Sequence, residues 1–460
     1  MKLEITSEFK EALHKMENGK AFVFITGRAG TGKSTLLRHF VEQGKIKAPV
    51  LAPTGVAALN VQGETIHRFF KIPPSVDIQV ARMEAENRKK PDIYRQIQAL
   101  IIDELSMVRA DLMDAMDIFL QVIRQDQRPF GGVRIIGIGD LYQLPPVVTS
   151  SDKNEFSLRY KTPYFFSSTA YRRLHGAGQI DFAELTKIYR QKDQDFIAIL
   201  NAIRNRDIGP QQLGIINDRI ITSPPPEDSI VLTPTNDAAD NLNQTKLHQL
   251  PGTISVVEGS VEGKFQEKDM PTDLYLELKT GARIMCVAND QKNRFVNGSL
   301  GWVVSVNANK GEQCVTVLMD GAQEPIVIEP YTWNIHRTKF NRKTGYLEQQ
   351  PVGSFRQVPL RLAWAVTIHK SQGKTFDKVT LDLGRGAFAA GQIYVALSRC
   401  RTLEGLSLIK PVTAWQLKPN DHLDYYFNQI LNQPPEAEYL VDDEQMVRLK
   451  HLILTLLWTI

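Results

Sequence analysis

Gly27-Arg28-Ala29-Gly30-Thr31-Gly32-Lys33-Ser34, with Thr35 after it, stands directly behind the apolar run 21–25. A buried strand that ends in a glycine loop and continues into a helix is the arrangement of a phosphate-binding loop, and it decides the fold class. Crowded negative charge needs donors that fit closely around it. The glycines let the N–H groups of residues 28–33 curl into an anion nest with no Cβ in the way, and a helix predicted over 35–41 adds the positive end of its dipole. Lys33 then reaches the outer phosphates of a nucleoside triphosphate, and the Ser34 hydroxyl is a ligand for Mg2+.

Working outward, apolar runs at 50–52, 99–102 and 133–138 alternate with helix-like stretches. Short, nearly all-apolar strands of this kind are covered on both faces, which predicts a parallel sheet with ligands at its strand ends. The charged stretch 71–95, interrupted by Pro73-Pro74, does not read as sheet and predicts a small excursion from this lobe. A second series opens after the proline cluster 223–227 with a strand at 230–232, then Thr233-Pro234-Thr235-Asn236 and a helix from about Asp237; it resumes at 360–366 and 379–383. Between these, β-like segments at 282–288, 300–304, 314–319 and 325–328, with turn signals at Asn297-Gly298 and Asp320-Gly321, predict a small antiparallel β-barrel. The expected organisation is α/β: a first lobe over 1–180, a second over 181–274 and 359–415 with the barrel at 275–358 inserted, and a helical tail over 416–460 beyond a linker near 433–444.

Composition bounds the partners. The chain has 460 residues, is 42% hydrophobic and carries a net charge of only +4, so an anionic partner must be met by local grooves and not by a globally basic surface. Cys286, Cys314 and Cys400 are too few and too scattered for a disulfide framework or a zinc cluster, which points to a reducing, cytoplasmic setting. No apolar leader opens the chain, and the run 452–460 is far short of the ~20 residues that cross a bilayer. No membrane partner is expected.

Asp103-Glu104 closes the strand at 99–102. In phosphoryl transfer the first carboxylate holds Mg2+ and the second polarises the attacking water; two acids capping a helix are the plainer alternative. Gly139-Asp140 closes the strand at 133–138, and Gln143 behind it can touch a γ-phosphate without adding negative charge. Arg190 in Leu185-Thr186-Lys187-Ile188-Tyr189-Arg190 and Arg399 in Tyr394-Val395-Ala396-Leu397-Ser398-Arg399 are candidate arginine fingers. The loops Pro53-Thr54-Gly55 and Thr367-Ile368-His369-Lys370-Ser371-Gln372-Gly373-Lys374-Thr375 offer hydroxyls, N–H groups and cations suited to a sugar–phosphate backbone. His67 stands beside Phe69 and Phe70, rings that either stack a base or pack in the core.

In content and order these segments resemble the superfamily-one DNA helicases of the RecD-like branch, and within it the PIF (petite integration frequency) family. Asp103-Glu104-Leu105-Ser106-Met107 ahead of a helix is similar to that family's own signature. The resemblance, over roughly 21–408, implies two RecA-like lobes with ATP between them, single-stranded DNA across the top, a wedge at 71–95 and a barrel of the Src-homology-three kind. It assigns ATP and Mg2+ to residues 27–35, Asp103, Glu104 and Gln143 with Gly373 and Lys374, has Arg190 and Arg399 close on the nucleotide from the second lobe, and assigns DNA to Pro53, Thr54, Gly55, His67, Phe69, Thr235, Asn236, His369, Lys370 and Ser371. It further implies 5′ to 3′ movement of a monomer on single strands and junctions, G-quadruplex DNA among them, with roles in repair, recombination and telomere maintenance. One departure is Phe9, which stands where relatives carry a glutamine that reads adenine.

Overall fold

The computed structural model describes residues 5–417, apart from 44–45, 47, 74–75, 90, 150–151, 192, 206, 291, 310–312, 342–345 and 385–390, together with Leu423 and Tyr426. Strand β1 (Phe22–Gly27) is buried at every position because helices cover both its faces. With β2 (Val50–Ala52), β3 (Glu64–Thr65), β4 (Ala99–Ile102), β5 (Arg134–Ile138) and β6 (Ile180–Leu185) it forms a parallel sheet in the order β3-β2-β4-β5-β1-β6. The lobe boundary expected at 180 is therefore displaced. All six residues of β6 pair with β1, from Phe22↔Ile180 to Gly27↔Leu185. As an edge strand β6 carries Asp181 and Glu184 among its six residues, so it presents no continuous apolar run.

The helices of this lobe include α1 (Ser7–Asn18), α2 (Lys33–Gln43), α3 (Gly55–Asn60), α4 (Ile66–Phe70), α5 (Ile78–Glu86), α6 (Asp92–Gln96) and α7 (Ala110–Arg124), with two shorter ones, Lys153–Arg159 and Thr169–Gly176, ahead of β6. The excursion at 71–95 is helical, built from α5 and α6, and an aromatic cluster fastens it to α7. Tyr94 sits 4.8 Å from Phe119 and 5.2 Å from Phe69, ring centroid to centroid, and the Arg88 guanidinium lies 4.9 Å over Tyr94. Edge-to-face pairs of this kind contribute ~0.5–1.5 kcal/mol each beyond their burial. Phe9 on α1 is core as well, buried against α2 with its ring 5.8 Å from His39.

The second parallel sheet opens with β7 (Ile230–Thr233) and is interrupted by an antiparallel insertion. Its strands are β8 (Ser255–Glu258), β9 (Ser260–Gly263), β10 (Tyr275–Leu278), β11 (Arg283–Cys286), β12 (Leu300–Asn307), β13 (Cys314–Met319), β14 (Ile326–Ile328), β15 (Tyr331–Asn341), β16 (Tyr346–Gln357) and β17 (Leu360–Leu362). They form sheets β14-β13-β12-β11-β17, β10-β8 and β15-β16-β9. The turn glycines Gly298 and Gly321 take φ +100° and +75°, the left-handed conformations their turns demand. The insertion is wider than 275–358, since β8 and β9 start it at Ser255; their largely exposed side chains gave no apolar signal. The run 360–366 also divides. Leu360–Leu362 pairs with β11, whereas β18 (Ala365–Thr367) pairs with β7, so one continuous apolar stretch serves two sheets. With β19 (Val379–Leu381) and β20 (Leu406–Leu408) the second parallel sheet reads β18-β7-β19-β20.

Past residue 417 the chain returns to the first lobe at Tyr426, whose ring stacks 4.3 Å from Phe166 and whose hydroxyl lies 3.0 Å from that of Tyr171. The remainder of the expected tail, with the linker 433–444 and the apolar run 452–460, lies outside the described residues. Among the described residues no helix is long and apolar enough to cross a membrane.

Candidate nucleotide cleft and strand groove

Strand order brings the chemistry together. β4, β5, β1 and β6 are neighbours and parallel, with Ile102↔Gly137, Ile25↔Ile138 and Gly27↔Leu185 in register. Adjacent strand ends lie ~4.8 Å apart, so four loops emerge side by side at one edge. These carry Asp103-Glu104, Gly139 with Gln143, the glycine loop, and Arg190. Together with Gly373, Thr375, Arg399, Arg401 and Thr402 of the second lobe they line a cleft of about 700 Å3.

In the glycine loop Gly32 has φ +90°, and a Cβ placed there would meet nothing within 4 Å. Conformation and open space both suit an approaching phosphate. Gly30 has φ +83°, and a Cβ on it would lie 2.5 Å from Cβ of Arg190. Tyr189 N–H donates to the Gly30 carbonyl at 2.9 Å. Arg190 is thus seated on the first lobe by its backbone, which corrects its expected approach from the second lobe; only its guanidinium crosses, donating to the carbonyls of Ser398 and Gly373, each at 3.3 Å. The Lys33 ammonium folds back onto the carbonyls of Gly27 at 2.6 Å and Arg28 at 3.0 Å. Gly27 and Arg28 accordingly contribute carbonyls and not cleft wall, while Ala29 N–H donates to the Tyr394 hydroxyl at 3.2 Å. Burial pushes the Lys33 amine down, opposed by the carboxylates of Asp140 and Glu104.

The carboxylates show the reverse strain. Burial raises Asp103 to about 6, and burial together with Asp103 raises Glu104 to about 7. Glu104 also holds φ 51° and ψ 42°, a left-handed conformation that costs a side-chain-bearing residue ~1–2 kcal/mol and recurs at functional sites. Gln143 donates to Asp140 at 3.1 Å. Arg399 is fully buried; its Nε donates to Val395 O at 2.8 Å, Nη2 to Ser398 Oγ at 2.8 Å and Nη1 to Lys374 O at 3.3 Å. Burial, and then the Arg190 guanidinium beside it, push Arg399 down to about 9, and burial pushes Arg190 to about 10. Two crowded guanidiniums facing a lysine across a desolvated cleft form a site for a polyanion.

On the strand side, register again explains proximity. Thr367↔Thr233 ends β18 and β7 together, and the loops beyond them place Pro234, Thr235, Asn236, Asp237, Thr367, His369 and Lys370 around a groove of about 450 Å3. Thr235, Asn236, His369 and Lys370 are exposed there. Each lobe repeats one device. Thr54 caps α3 by accepting from Ala57 N–H at 3.2 Å, and Thr235 caps the helix Asn236–Gln249 by accepting from Ala238 N–H at 3.3 Å. In the first lobe Pro53 is half-buried and Thr54 exposed, but Gly55 is covered by Asp269 of the insertion, which also pairs with Arg68 at 2.7 Å. His67 is half-buried, with Nδ1 3.1 Å from Ile72 O.

Three expected contacts are not formed. Phe69 is buried in the aromatic cluster, 5.0 Å from Phe70, and does not face a base. Ser371 is fully buried with its hydroxyl committed to Ile368 O at 2.7 Å. Lys374 turns away from the cleft onto the Asn297 side-chain oxygen of the insertion, so only Gly373 and Thr375 of that loop line the cleft. Conversely, Gln372, Tyr394 and Gln191 escaped the residue-by-residue reading. Gln191 donates to the carbonyls of Ser398 at 3.0 Å and Cys400 at 3.2 Å, tying the lobes beside Arg190. Gln372 and Tyr394 sit inside motif stretches and Gln191 directly follows one, but an amide or phenol carries no spacing signal of its own.

The sequence profile of PIF1-like helicases matches residues 4–213. The ATP-dependent DNA helicase PIF1 of Mus musculus is 35% identical over 427 residues, covering 88% of this chain and 60% of the relative. The chain spans about three fifths of the length of the mammalian relatives it matches. The Pif1 helicase of Bdellovibrio bacteriovorus is 30% identical over 419 residues, covering 88% of both chains. Among solved structures, Bacteroides sp Pif1 in complex with ADP-AlF4 superposes with a TM-score of 0.83 at 34% identity, over 93% of this chain and 98% of that one. Bacteroides Pif1 bound to ssDNA gives 0.64 at the same identity, over 93% and 97%. The two parallel-sheet lobes are RecA-like.

Proposed function

Because this chain belongs to the PIF1-like helicase family, we propose that it is an ATP-dependent DNA helicase that moves 5′ to 3′ along single-stranded DNA and separates duplex or folded DNA ahead of it. The observation that carries the reading is one cleft in which a glycine loop, a carboxylate pair and arginines rooted on two different lobes converge. The groove at Thr235 and His369 is a separate feature of the second lobe.

The residues act as follows. Lys33 leaves the carbonyls of Gly27 and Arg28 for the outer phosphates, and Glu104, raised to about 7, accepts a proton from the attacking water near neutral pH. Arg190 and Arg399 meet the charge that develops as the terminal phosphoryl transfers, and Gln143 senses its presence. Arg399 gains its contact only when the lobes approach, so nucleotide binding draws them together and hydrolysis releases them. Mg2+ fits the donor set. Ser34 and Asp103 line the cleft, and a carboxylate that burial holds up to about 6 favours a cation. One hydroxyl and one carboxylate are few protein ligands, as suits an ion that keeps water and phosphate oxygens around it. Ser34 and Asp103 would hold such an ion, which would neutralise charge on the phosphate oxygens.

Thr54, Thr235, Asn236, His369 and Lys370 grip the sugar–phosphate backbone, which reads no sequence. Helices α5 and α6, fastened to α7, serve as the wedge at a junction, and G-quadruplexes fall among the folded substrates. The protein acts as a monomer in the cytoplasm. The test is ATPase activity with and without single-stranded oligonucleotide, beside unwinding of a forked duplex. Wild type is stimulated and unwinds; Lys33→Ala loses turnover yet keeps DNA binding at low salt. An oligonucleotide that fails to accelerate wild-type turnover refutes the reading.

A further inference from the structure

The amide of Gln372 donates two hydrogen bonds from the second lobe into the first, to Glu104 Oε2 at 3.1 Å and to Gln143 Oε1 at 2.9 Å. These are the side chains assigned to water activation and to phosphate sensing. Gln143 also donates its own amide to Asp140 at 3.1 Å, so both ends of the sensor are occupied. On Glu104 the donor occupies Oε2, where it competes with an attacking water for one of the two carboxylate oxygens. The arrangement therefore engages both groups from the second lobe.

The other end of the same turn faces the strand groove. Gln372 N–H donates to His369 O at 3.1 Å, and Ser371 N–H to Thr367 O at 3.0 Å. Lys370 N–H donates to Thr367 Oγ1 at 3.2 Å, and Ser371 Oγ to Ile368 O at 2.7 Å. This ladder makes residues 367–372 one stiff unit. The exposed His369 and Lys370 lie only two to three residues from the amide on Glu104. A displacement at the groove reaches that amide without passing through the body of the lobe.

We infer that Gln372 is a positioning residue: it latches Glu104 and Gln143 in an idle arrangement, and a single strand engaging His369 and Lys370 withdraws the latch. The inference rests on the ATP-driven reading above and adds the origin of its DNA dependence. The latch makes DNA-free turnover slow, and its removal raises the idle rate more than the stimulated one. Two hydrogen bonds of ordinary strength correspond to a shift of roughly tenfold in the population of the idle state.

Gln372→Met keeps the length and bulk of the side chain and cannot donate; Gln372→Asn keeps the amide and cannot reach. Steady-state phosphate release is measured for wild type and both variants, with no DNA and with saturating oligo-dT, as a function of ATP. Both variants are expected to show DNA-free kcat raised roughly tenfold, DNA-saturated kcat nearly unchanged and KM for ATP little altered, so that the stimulation ratio collapses. Thermal melting and oligo-dT anisotropy, unchanged from wild type, certify the fold. A wild-type ratio in Gln372→Met overturns the inference and leaves the helicase reading standing. An equal loss of turnover with and without DNA also overturns it, since that marks a structural or directly catalytic part. A wild-type enzyme that oligo-dT does not stimulate sinks the helicase reading itself.

Discussion

Arg399→Lys isolates what a guanidinium does that a positive charge alone cannot. Arg399 spreads three donors over Val395 O, Ser398 Oγ and Lys374 O, at 2.8, 2.8 and 3.3 Å. That fork fixes the plane of the buried group in the cleft wall. An ammonium has no plane to fix and keeps at most part of the set. Hydrogen bonds from a charged donor contribute ~1.5–3 kcal/mol each in a buried setting, so losing one or two already costs several kcal/mol of preorganisation. An arginine that meets phosphoryl charge in the transition state accounts for roughly 10³–10⁵ in rate. The expected outcome is a fall in DNA-saturated kcat of about 10³ or more, equivalent to ~4 kcal/mol. Fluorescent-nucleotide affinity should change by only a few fold, because the proposed ground-state binding rests on Lys33 and the glycine loop. Phosphate release measured with the nucleotide titration separates the two quantities. Turnover within about tenfold of wild type would refute the role given to Arg399.

Gly30→Ala places a Cβ against Arg190 at φ +83°, where an alanine costs ~1–2 kcal/mol before any clash; nucleotide binding should weaken and melting fall, and a wild-type titration would show the seat to be loose. Asp269→Ala uncovers Gly55 and frees Arg68. Oligonucleotide anisotropy at fixed salt should then report binding up to about fivefold tighter, as for a partly exposed ion pair of ~1 kcal/mol, and unchanged affinity counts against a covering role. Asp117 on α7 is buried, accepts from Phe130 N–H and Gln121, and is raised by burial to about 6 from 3.8. The unfolded chain therefore releases this proton first as pH rises, so stability falls between about pH 4 and pH 6 and stays lower above, by up to ~3 kcal/mol. Asp117→Asn should remove that slope in denaturant titrations run at pH 4, 5, 6 and 7, and an unaltered slope would exclude Asp117 as its source.

The glycine loop at the end of β1 was legible because its pattern is local. Glycine, lysine and serine at one strand's end are demanded by the ligand and by backbone conformation, whatever packs around them. Strand ends such as Asp103-Glu104 and Thr233-Pro234-Thr235 were legible for a related reason, since buried parallel strands announce themselves as apolar runs. What escaped depends on distant partners. β6 is an edge strand recognisable only once β1 is beside it, and 360–366 looks like one strand until β11 and β7 each claim half. Phe69, Ser371 and Lys374 had suitable side chains in a suitable motif, and the tertiary surroundings turned each one elsewhere. Gln372 has no pattern of its own, and its meaning arises from a turn that delivers it across the cleft.

The chain leaves β6 and enters the second lobe at Tyr189, Arg190 and Gln191, the residues seated on Gly30 and bonded to Ser398 and Cys400. On the proposed helicase reading, a pivot at this crossing would lie against the fuel. A fulcrum so placed gives the shortest arm to the event that drives it and the longest to the rims at Thr54 and Thr235. Slight tightening around a terminal phosphate would then be converted into a wide sweep at those rims, with force surrendered in proportion to travel. Stiffness at this crossing would set the gearing of the proposed motor, and residues 186–191 are where a longer or shorter stroke would be engineered.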